Sequence, residues 1–577
     1  MRPRFLERGH AQKNIVKICN KLLFRAYNYK NKFLMKKLFS IVIVTAVIFL
    51  LVYGLMPVFA YGFNQLPLIL LVGVGLILFF STGFEVTKVR NKYVMNSQPS
   101  KIFYLIIGAI LFYMFILPML TSSTLLRTSD YQSLIGKVKT GNKITNHIAP
   151  ISIDEIRVVD ESLAYLLGEK ILGSQPALGS QVELGEFCIQ KVKNDLYWVA
   201  PLLHSGFFKW LNNKQGTAGY VMVSATNERD VKLVQNIEGK DIKIKYQPNA
   251  FFQDDTKRHL YFNGYNDIGL TDFSFEIDDT GKPFWVVTKY VKKIGFSGND
   301  AAGVLVVDCQ SGAIKNYSIA NTPLWVDRIQ PIAFVEEQLN DWGEYVNGYW
   351  NFSNANKLKI TEGLTLVYGE NHKSYWYTGL TSVGKDESAV GFILVDTRTK
   401  ESTFYKQGGA TEYAAQSSAQ GKVQEKGYNA SLPIPYNINN IPTYVMTLKD
   451  KGGLVKMYAM VAISDYTIVG VGNTMRETLT AYKSVYNTNG SKINATSSST
   501  KKTLKSVVTR IQNDVKNGNS FYYFKVRDYQ NIFVGSSQVS SQLPITIVGD
   551  SVNISFDIDL EEVIDVSTFE NRSLGKK

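Results

Sequence analysis

FSFEIDDTGKPFWVVTKYVKKIGFSGNDAAGVLVVDCQSGAIKNYS, residues 273–318, holds an aromatic strand (PFWVVTK, 283–289), a variable loop and a hydrophobic strand that closes on a polar turn (GVLVVDCQSG, 303–312). The same order occurs three more times. LYWVAPL (196–202) precedes GYVMVSAT (219–226), SYWYTGL (374–380) precedes GFILVDTRT (391–399), and TYVMTLK (443–449) precedes YAMVAISD (458–465). Trp198, Trp285 and Trp376 take matching places, with Val445 in the fourth. Asp308 and Asp396 match at the strand end, where the other two copies have Ser224 and Ser464. A spacing of roughly 70 to 90 residues is too long for a solenoid unit and suits a small α+β module.

Helical spacing leaves room for a helix ahead of each strand pair, near 154–171, 254–264, 332–340 and 409–424. A further strand precedes the aromatic one at 183–191, 270–278 and 363–368. Helix followed by three strands gives a short antiparallel sheet with a helix on one face. The aromatic strands alternate poorly and are expected to be central and buried. The pattern at 273–318, with its Val307-Asp308-Cys309-Gln310-Ser311-Gly312 turn, resembles the PepSY module. The third copy departs from it by placing Lys400 where the glycine belongs, and the first and fourth lack the aspartate. The resemblance covers at most 151–486. It implies an envelope-associated binding or regulatory module of the kind thought to inhibit or tether proteases and peptidoglycan enzymes.

Working outward to the N-terminus, residues 38–84 contain no Asp, Glu, Lys or Arg, and neither do 102–126. A span needs about 20 residues, so the first run holds two, broken at 61–67 (YGFNQLP). Spans are expected near 39–60, 66–83 and 102–121. Of 63 Lys+Arg and 49 Asp+Glu, 15 and 2 lie in 1–121, leaving 48 and 47 in 122–577. The basic excess therefore belongs to the membrane flanks. Eleven Lys+Arg precede the first span, and Lys88, Arg90, Lys92 and Lys101 lie between the second and third. The positive-inside rule then puts the N-terminus in the cytoplasm and everything after the third span outside. Met35-Lys36-Lys37 with Val58-Phe59-Ala60 also reads as a signal peptide, and cleavage there leaves the C-terminal part outside as well. The tail carries Ile15, Ile18, Leu22 and Leu23 on one helical face and Lys17, Lys21 and Arg25 on another. It reads equally as a membrane-surface helix or as an extension upstream of a start at Met35.

The expected organisation is thus a basic cytoplasmic tail (1–37), three transmembrane helices (38–126), a stalk (127–150), four PepSY-like α+β repeats (151–486), a polar linker (487–502), and a helix plus small β-barrel (503–577). The linker NTNGSKINATSSSTKK cannot bury a core. Leu504, Val507, Val508, Ile511 and Val515 share a helical face, and about five short strands follow, suiting an OB- or SH3-like barrel. The fold class is α+β.

Three cysteines exclude a disulfide scaffold and a four-cysteine metal site, and whether Cys188 and Cys309 pair is left open. His10, His147, His204, His259 and His372 are widely spaced, with no H-E-x-x-H. Adjacent acids at 254–255, 278–279, 336–337 and 561–562 read as solvated turns. Ser382-Val383-Gly384-Lys385 and Ser498-Ser499-Thr500-Lys501 match S-x-x-K outside the helix start that chemistry requires, and 470–475 lacks the third glycine of a dinucleotide loop. No catalytic, cofactor-binding or metal residue is assigned. Residues 321–351 hold Trp325, Trp342 and Trp350, three of seven tryptophans, with Tyr345 and Tyr349. These five form the candidate partner surface, or else the cement between the second and third repeats, with Asp327-Arg328 and Asp341 as salt bridges. The expected function is a membrane-anchored, extracytoplasmic scaffold or binding protein of the bacterial cell envelope. Its partners would be the bilayer, an envelope protein or cell-wall component, and a second copy through helices containing Gly73 and Gly75, with no nucleic acid. The alternatives are an envelope hydrolase or its regulator, and an accessory subunit of a transport or secretion complex.

Overall fold

The computed structural model describes residues 38–82, 86–89, 92–95, 101–148, 150–361, 363–369, 373–383, 388–489, 501–516, 519–527, 529–537, 539–557 and 563–575. The basic tail, with His10 and Cys19, and most of the polar linker lie outside these residues, as do His372, Gly384-Lys385 of the first S-x-x-K match and Ser498-Ser499-Thr500 of the second. The chain divides into two compact units. One holds the N-terminal part to Thr140, Val159–Lys385 and Ile393–Phe404; the other holds Gly141–Val158, Asp386–Phe392 and Tyr405–Lys577.

In the first unit, Leu38–Leu55 and Lys101–Thr121 are long and apolar enough to cross a membrane, and almost none of either is buried. A further apolar helix, Gln65–Thr82, lies between them. Lys101–Thr121 widens to π geometry over Phe112–Ile116, just ahead of Pro118, which cannot donate to the carbonyl of Met114. The residues expected to form a stalk are instead folded. Thr124–Ser133 is helical, and Lys139–Gly141 is the edge strand of a six-stranded sheet.

Each of the four quoted strand pairs belongs to a separate antiparallel sheet. The first sheet runs Cys188–Val192, Asp195–His204, Tyr220–Ser224, Val231–Val234, and the second Gly269–Ile277, Pro283–Ile294, Ser297–Asp308, Ile314–Tyr317. The third contains Thr365–Tyr368, Ser374–Ser382, Gly391–Asp396 and Ser402–Tyr405. Helices Glu161–Gly173, Thr256–Phe262 and Ile332–Glu344 precede them. The first two sheets pack face to face over Val199, Tyr220, Phe275, Trp285, Leu305 and Val307, so their cores are fused rather than separate. On its other face the second sheet buries Val286, Val304 and Val306 against Val326 and Ile329.

The tryptophans share one hydrogen bond. Trp198 Nε1 donates to Val159 O (2.8 Å), Trp285 Nε1 to Tyr246 O (2.8 Å) and Trp376 Nε1 to Gln330 O (2.9 Å). Each acceptor lies on the segment entering that sheet. The N–H of each acceptor residue bonds in turn to the carbonyl at the strand end: Val159 to Ala225, Tyr246 to Cys309, Gln330 to Thr397. Asp308 Oδ1 accepts from the N–H groups of Gln310 and Ser311, and Asp396 Oδ1 from those of Arg398 and Thr399. Lys400 occupies the glycine place of this turn at φ +66°, against +72° for Gly312. Its ammonium offsets that strain by pairing with Asp300 (2.5 Å) and Leu134 O (2.8 Å).

The second unit holds the fourth sheet: Ile434–Ile438, Ile441–Lys449, Val455–Ala462 and Asp465–Gly472, with helices Glu412–Lys422 and Met475–Asn489. Here the register corrects the reading of Val445. Ile463 O accepts from Ala410 N, which makes Ile463 the counterpart of Cys309, and Val461 two residues before it pairs with Tyr444. Tyr444 therefore fills the tryptophan slot, and its hydroxyl donates to Ala410 O (3.3 Å). Val445 faces the other way, in the core containing Leu479 and Tyr482.

The C-terminal region is a closed barrel of five strands: Lys501–Lys516, Asn519–Val526, Ile532–Ser536, Val563–Asn571 and Ser551–Asp557 in spatial order. The helix expected over 504–515 is its first strand, which pairs with both Asn519–Val526 and Ser551–Asp557. Leu504, Val508 and Ile511 pack inward on Phe524, Phe533 and Phe556. A register shift between Val508 and Arg510 changes the inward parity, so these residues have spacings of four and three. A bulged strand thus imitates a helical stripe.

Candidate functional site

Strands of the first three sheets and the segment 326–330 converge on a buried ionisable cluster. Glu276 (1% exposed) lies on the second sheet within a run of apolar and aromatic residues and accepts from Ser274 Oγ at 2.8 Å. Burial pushes its carboxyl up to about 8, with Arg328 opposing, and its Oε2 has no hydrogen-bond partner among the described residues. Asp327 accepts from Lys191 N (2.8 Å) on the first sheet and from Tyr368 Oη (3.2 Å) on the third. Burial raises it to about 6 against the pull of Lys191 N–H and Arg328. The Arg328 guanidinium donates to the Cys188 sulfur, and burial holds that thiol protonated, up to about 12. Gln190 exchanges two hydrogen bonds with the backbone of Ile277 (3.2 and 3.1 Å), and Ser374 and Thr397 both donate to Asp327 O. This constellation ties three sheets together. Asp327 and Arg328, expected as a salt bridge within the tryptophan-rich junction, instead reach out of it to both neighbouring sheets. Their partners at 188, 276 and 368 are too scattered in sequence to be grouped by spacing.

The five candidate partner residues divide. Trp325 stacks on Phe284 (5.2 Å between centroids), Trp342 meets Phe404 (6.1 Å), and Tyr345 meets Tyr131 (6.4 Å). These three pack within the first unit. Tyr349 and Trp350 are exposed and form an edge-to-face chain with Phe352. Asp341 is pushed up to about 6 by burial and by Glu337.

The hairpin of the second sheet reaches the ends of the apolar helices. Phe296 at its tip meets Tyr61, which follows Leu38–Leu55, and Tyr113 of Lys101–Thr121, at 5.3 and 5.2 Å. Phe296 N donates to Ser122 Oγ (2.6 Å), and a Cβ on Gly295 would lie 2.5 Å from Thr121 Oγ1. Helix Thr256–Phe262 touches the first apolar helix: Tyr261 Oη donates to Pro57 O (3.0 Å), and Arg258 lies over the Tyr53 ring (4.6 Å). Gly73 faces Ile48 of the same chain, while Gly75 faces open space.

Among the described residues no group of three metal-ligating side chains forms. His204 is buried and held neutral by burial, His259 bonds Gly312 O (2.8 Å), and His147 bonds Tyr405. Cys188 and Cys309 are free and buried in different parts of the first unit.

No family model matches the chain, and no curated protein does. Among solved structures it aligns with a levansucrase variant from B. megaterium (8% identity, 72% of this chain and 96% of that one, TM-score 0.16). It also aligns with an endo-1,4-beta-xylanase from Bacteroides thetaiotaomicron (9%, 67% and 96%, 0.15) and a Synechocystis apocarotenoid oxygenase variant (8%, 65% and 59%, 0.13). None of these TM-scores carries a shared fold.

Proposed function

We propose that this protein is a membrane-anchored scaffold or binding protein of the bacterial cell envelope, without catalytic activity of its own. Its N-terminus is cytoplasmic, three helices cross the membrane, and the region after Thr121 is extracytoplasmic. The four sheets are copies of one PepSY-like module, each closed by an aromatic donor to its entering segment. The barrel is of the OB type, since its third and fifth strands pair in parallel and its first strand closes it. The observation that carries this reading is the seat of the Phe296 hairpin. It touches the connection after the first apolar helix and the C-terminal end of the last, which belong on the same side in a three-span chain. The ionisable cluster supports structural use, because Gln190, Asp327 and Arg328 are engaged with backbone and side-chain groups that come from three sheets. Partners are the bilayer, an envelope protein or cell-wall component, and a second copy at the open Gly75 face. The test is labelling of intact cells with a membrane-impermeant thiol reagent. A cysteine introduced at Ser498 is labelled and Cys19 is not; the reverse pattern refutes the orientation and the envelope assignment. Pull-down from gently solubilised membranes then identifies the partner.

A further inference from the structure

Two exposed aromatic clusters in the first unit flank the exits of the long apolar helices. The first is the segment 345–356, YVNGYWNFSNAN, twelve residues without a charge. It follows helix Ile332–Glu344, which packs along Thr124–Ser133, the helix that starts three residues past the end of Lys101–Thr121. Trp350 and Phe352 are 70% and 75% exposed, and Asn347 and Asn351 both bond Ala355 O, at 2.9 and 2.8 Å, which holds the loop in shape. Leu125 and Leu126, at the start of Thr124–Ser133, are also exposed.

The second cluster surrounds Trp210. Phe207, Phe251 and Phe252 pack on its ring, while Phe208 and Phe252 are 75% and 55% exposed, with Lys214 over the indole face at 5.1 Å. It connects to the first apolar helix through Arg258, which bonds Phe252 O (3.4 Å) and lies over Tyr53, and through Phe262, 5.7 Å from Tyr53.

We infer that both clusters rest in the headgroup layer of the bilayer that the apolar helices cross, holding the folded region against the membrane at two points beside its helices. Three observations select lipid as the occupant. Both clusters join directly to residues at the helix exits. The first carries no charge along its own twelve residues, and the second sets Lys214 over an indole face, the combination favoured at an anionic membrane surface. The inference rests on the membrane reading of the apolar helices.

The test uses the full-length protein in nanodiscs of phosphatidylcholine and phosphatidylglycerol whose acyl chains carry bromine either near the headgroup or near the chain end. No tryptophan lies in the apolar helices, so the difference between wild type and Trp350→Phe isolates Trp350. Phe208→Trp reports on the second cluster, and Leu111→Trp on the interior of Lys101–Thr121. The expected result is loss of about half or more of the Trp350 and Phe208→Trp signals with shallow bromines and much less with deep ones, as for belt aromatics. Leu111→Trp should show the opposite order. Quenching of Leu111→Trp alone overturns the inference and leaves the membrane reading standing. Quenching of none of the three removes the membrane reading as well. Shielding of Trp350 from acrylamide without bromine quenching would assign the surface to a protein and also overturn the inference.

Discussion

Replacing Trp285 by phenylalanine separates the hydrogen bond of this residue from most of its volume. The indole is 4% exposed and donates to Tyr246 O at 2.8 Å. Phenylalanine leaves that buried carbonyl without its donor, at ~1–3 kcal/mol, and empties the space of the five-membered ring, at about 1 kcal/mol more. The segment Lys245-Tyr246 stays tied through its two N–H groups to Cys309 O, so the sheet survives and the loss is local. Hydrogen exchange followed by mass spectrometry on the detergent-solubilised chain should show the amides of 242–247 exchanging roughly 30- to 700-fold faster, since each ~1.4 kcal/mol is a factor of ten. Trp198→Phe and Trp376→Phe should give the same signature around Val159 and Gln330. Val445→Phe should leave Ala410 untouched, because Tyr444 holds that carbonyl. Unchanged exchange in all three tryptophan variants, or loss of Ala410 protection in Val445→Phe, would refute the equivalence of the four positions.

The Glu276 carboxyl is raised by burial to about 8 and the Asp327 carboxyl to about 6; the unfolded chain ionises both first, so stability falls as pH rises towards these values. Melting temperature measured across this range should decline in the wild type and flatten in Glu276→Gln, and a wild-type profile that rises with pH would contradict the assignment. Lys400→Gly relieves about 1 kcal/mol of left-handed strain but leaves Asp300 half-buried and unpaired, so it should lower the melting temperature, with Asp300→Asn restoring most of the loss. Gly295→Val collides with Thr121 and Ser122; limited proteolysis should then cut 291–298, which the wild type protects.

The order of elements was legible wherever apolar periodicity and tryptophan marked a strand pair. Helices Glu161–Gly173, Thr256–Phe262, Ile332–Glu344 and Glu412–Lys422 fall in or beside the windows that sequence leaves for them. Register was not legible. The fourth copy reads as Val445 in line with Trp376, yet strand pairing moves Tyr444 into the slot, a one-residue slip that also exchanges the two faces of the strand. The first barrel strand failed for a related reason, since its bulge gives Leu504, Val508 and Ile511 the spacing of a helix. The cluster at Glu276 was hidden because its members come from three sheets. Its one local sign was an acid inside the run Phe273-Ser274-Phe275-Glu276-Ile277. The aromatic cluster around Trp210 carries its own local sign, the doublets Phe207-Phe208 and Phe251-Phe252 in otherwise polar surroundings.

The bonds from Trp198, Trp285, Trp376 and Tyr444 span 39, 39, 46 and 34 residues, always from a later donor to an earlier carbonyl. A chain synthesised from its N-terminus therefore presents each acceptor well before the side chain that will occupy it. Every entering segment waits for some forty further residues before its donor exists. Closure can then proceed copy by copy, each aromatic donor reaching back to a segment made before it. In this sense the spacing between carbonyl and aromatic ring sets the length of chain that each closure requires.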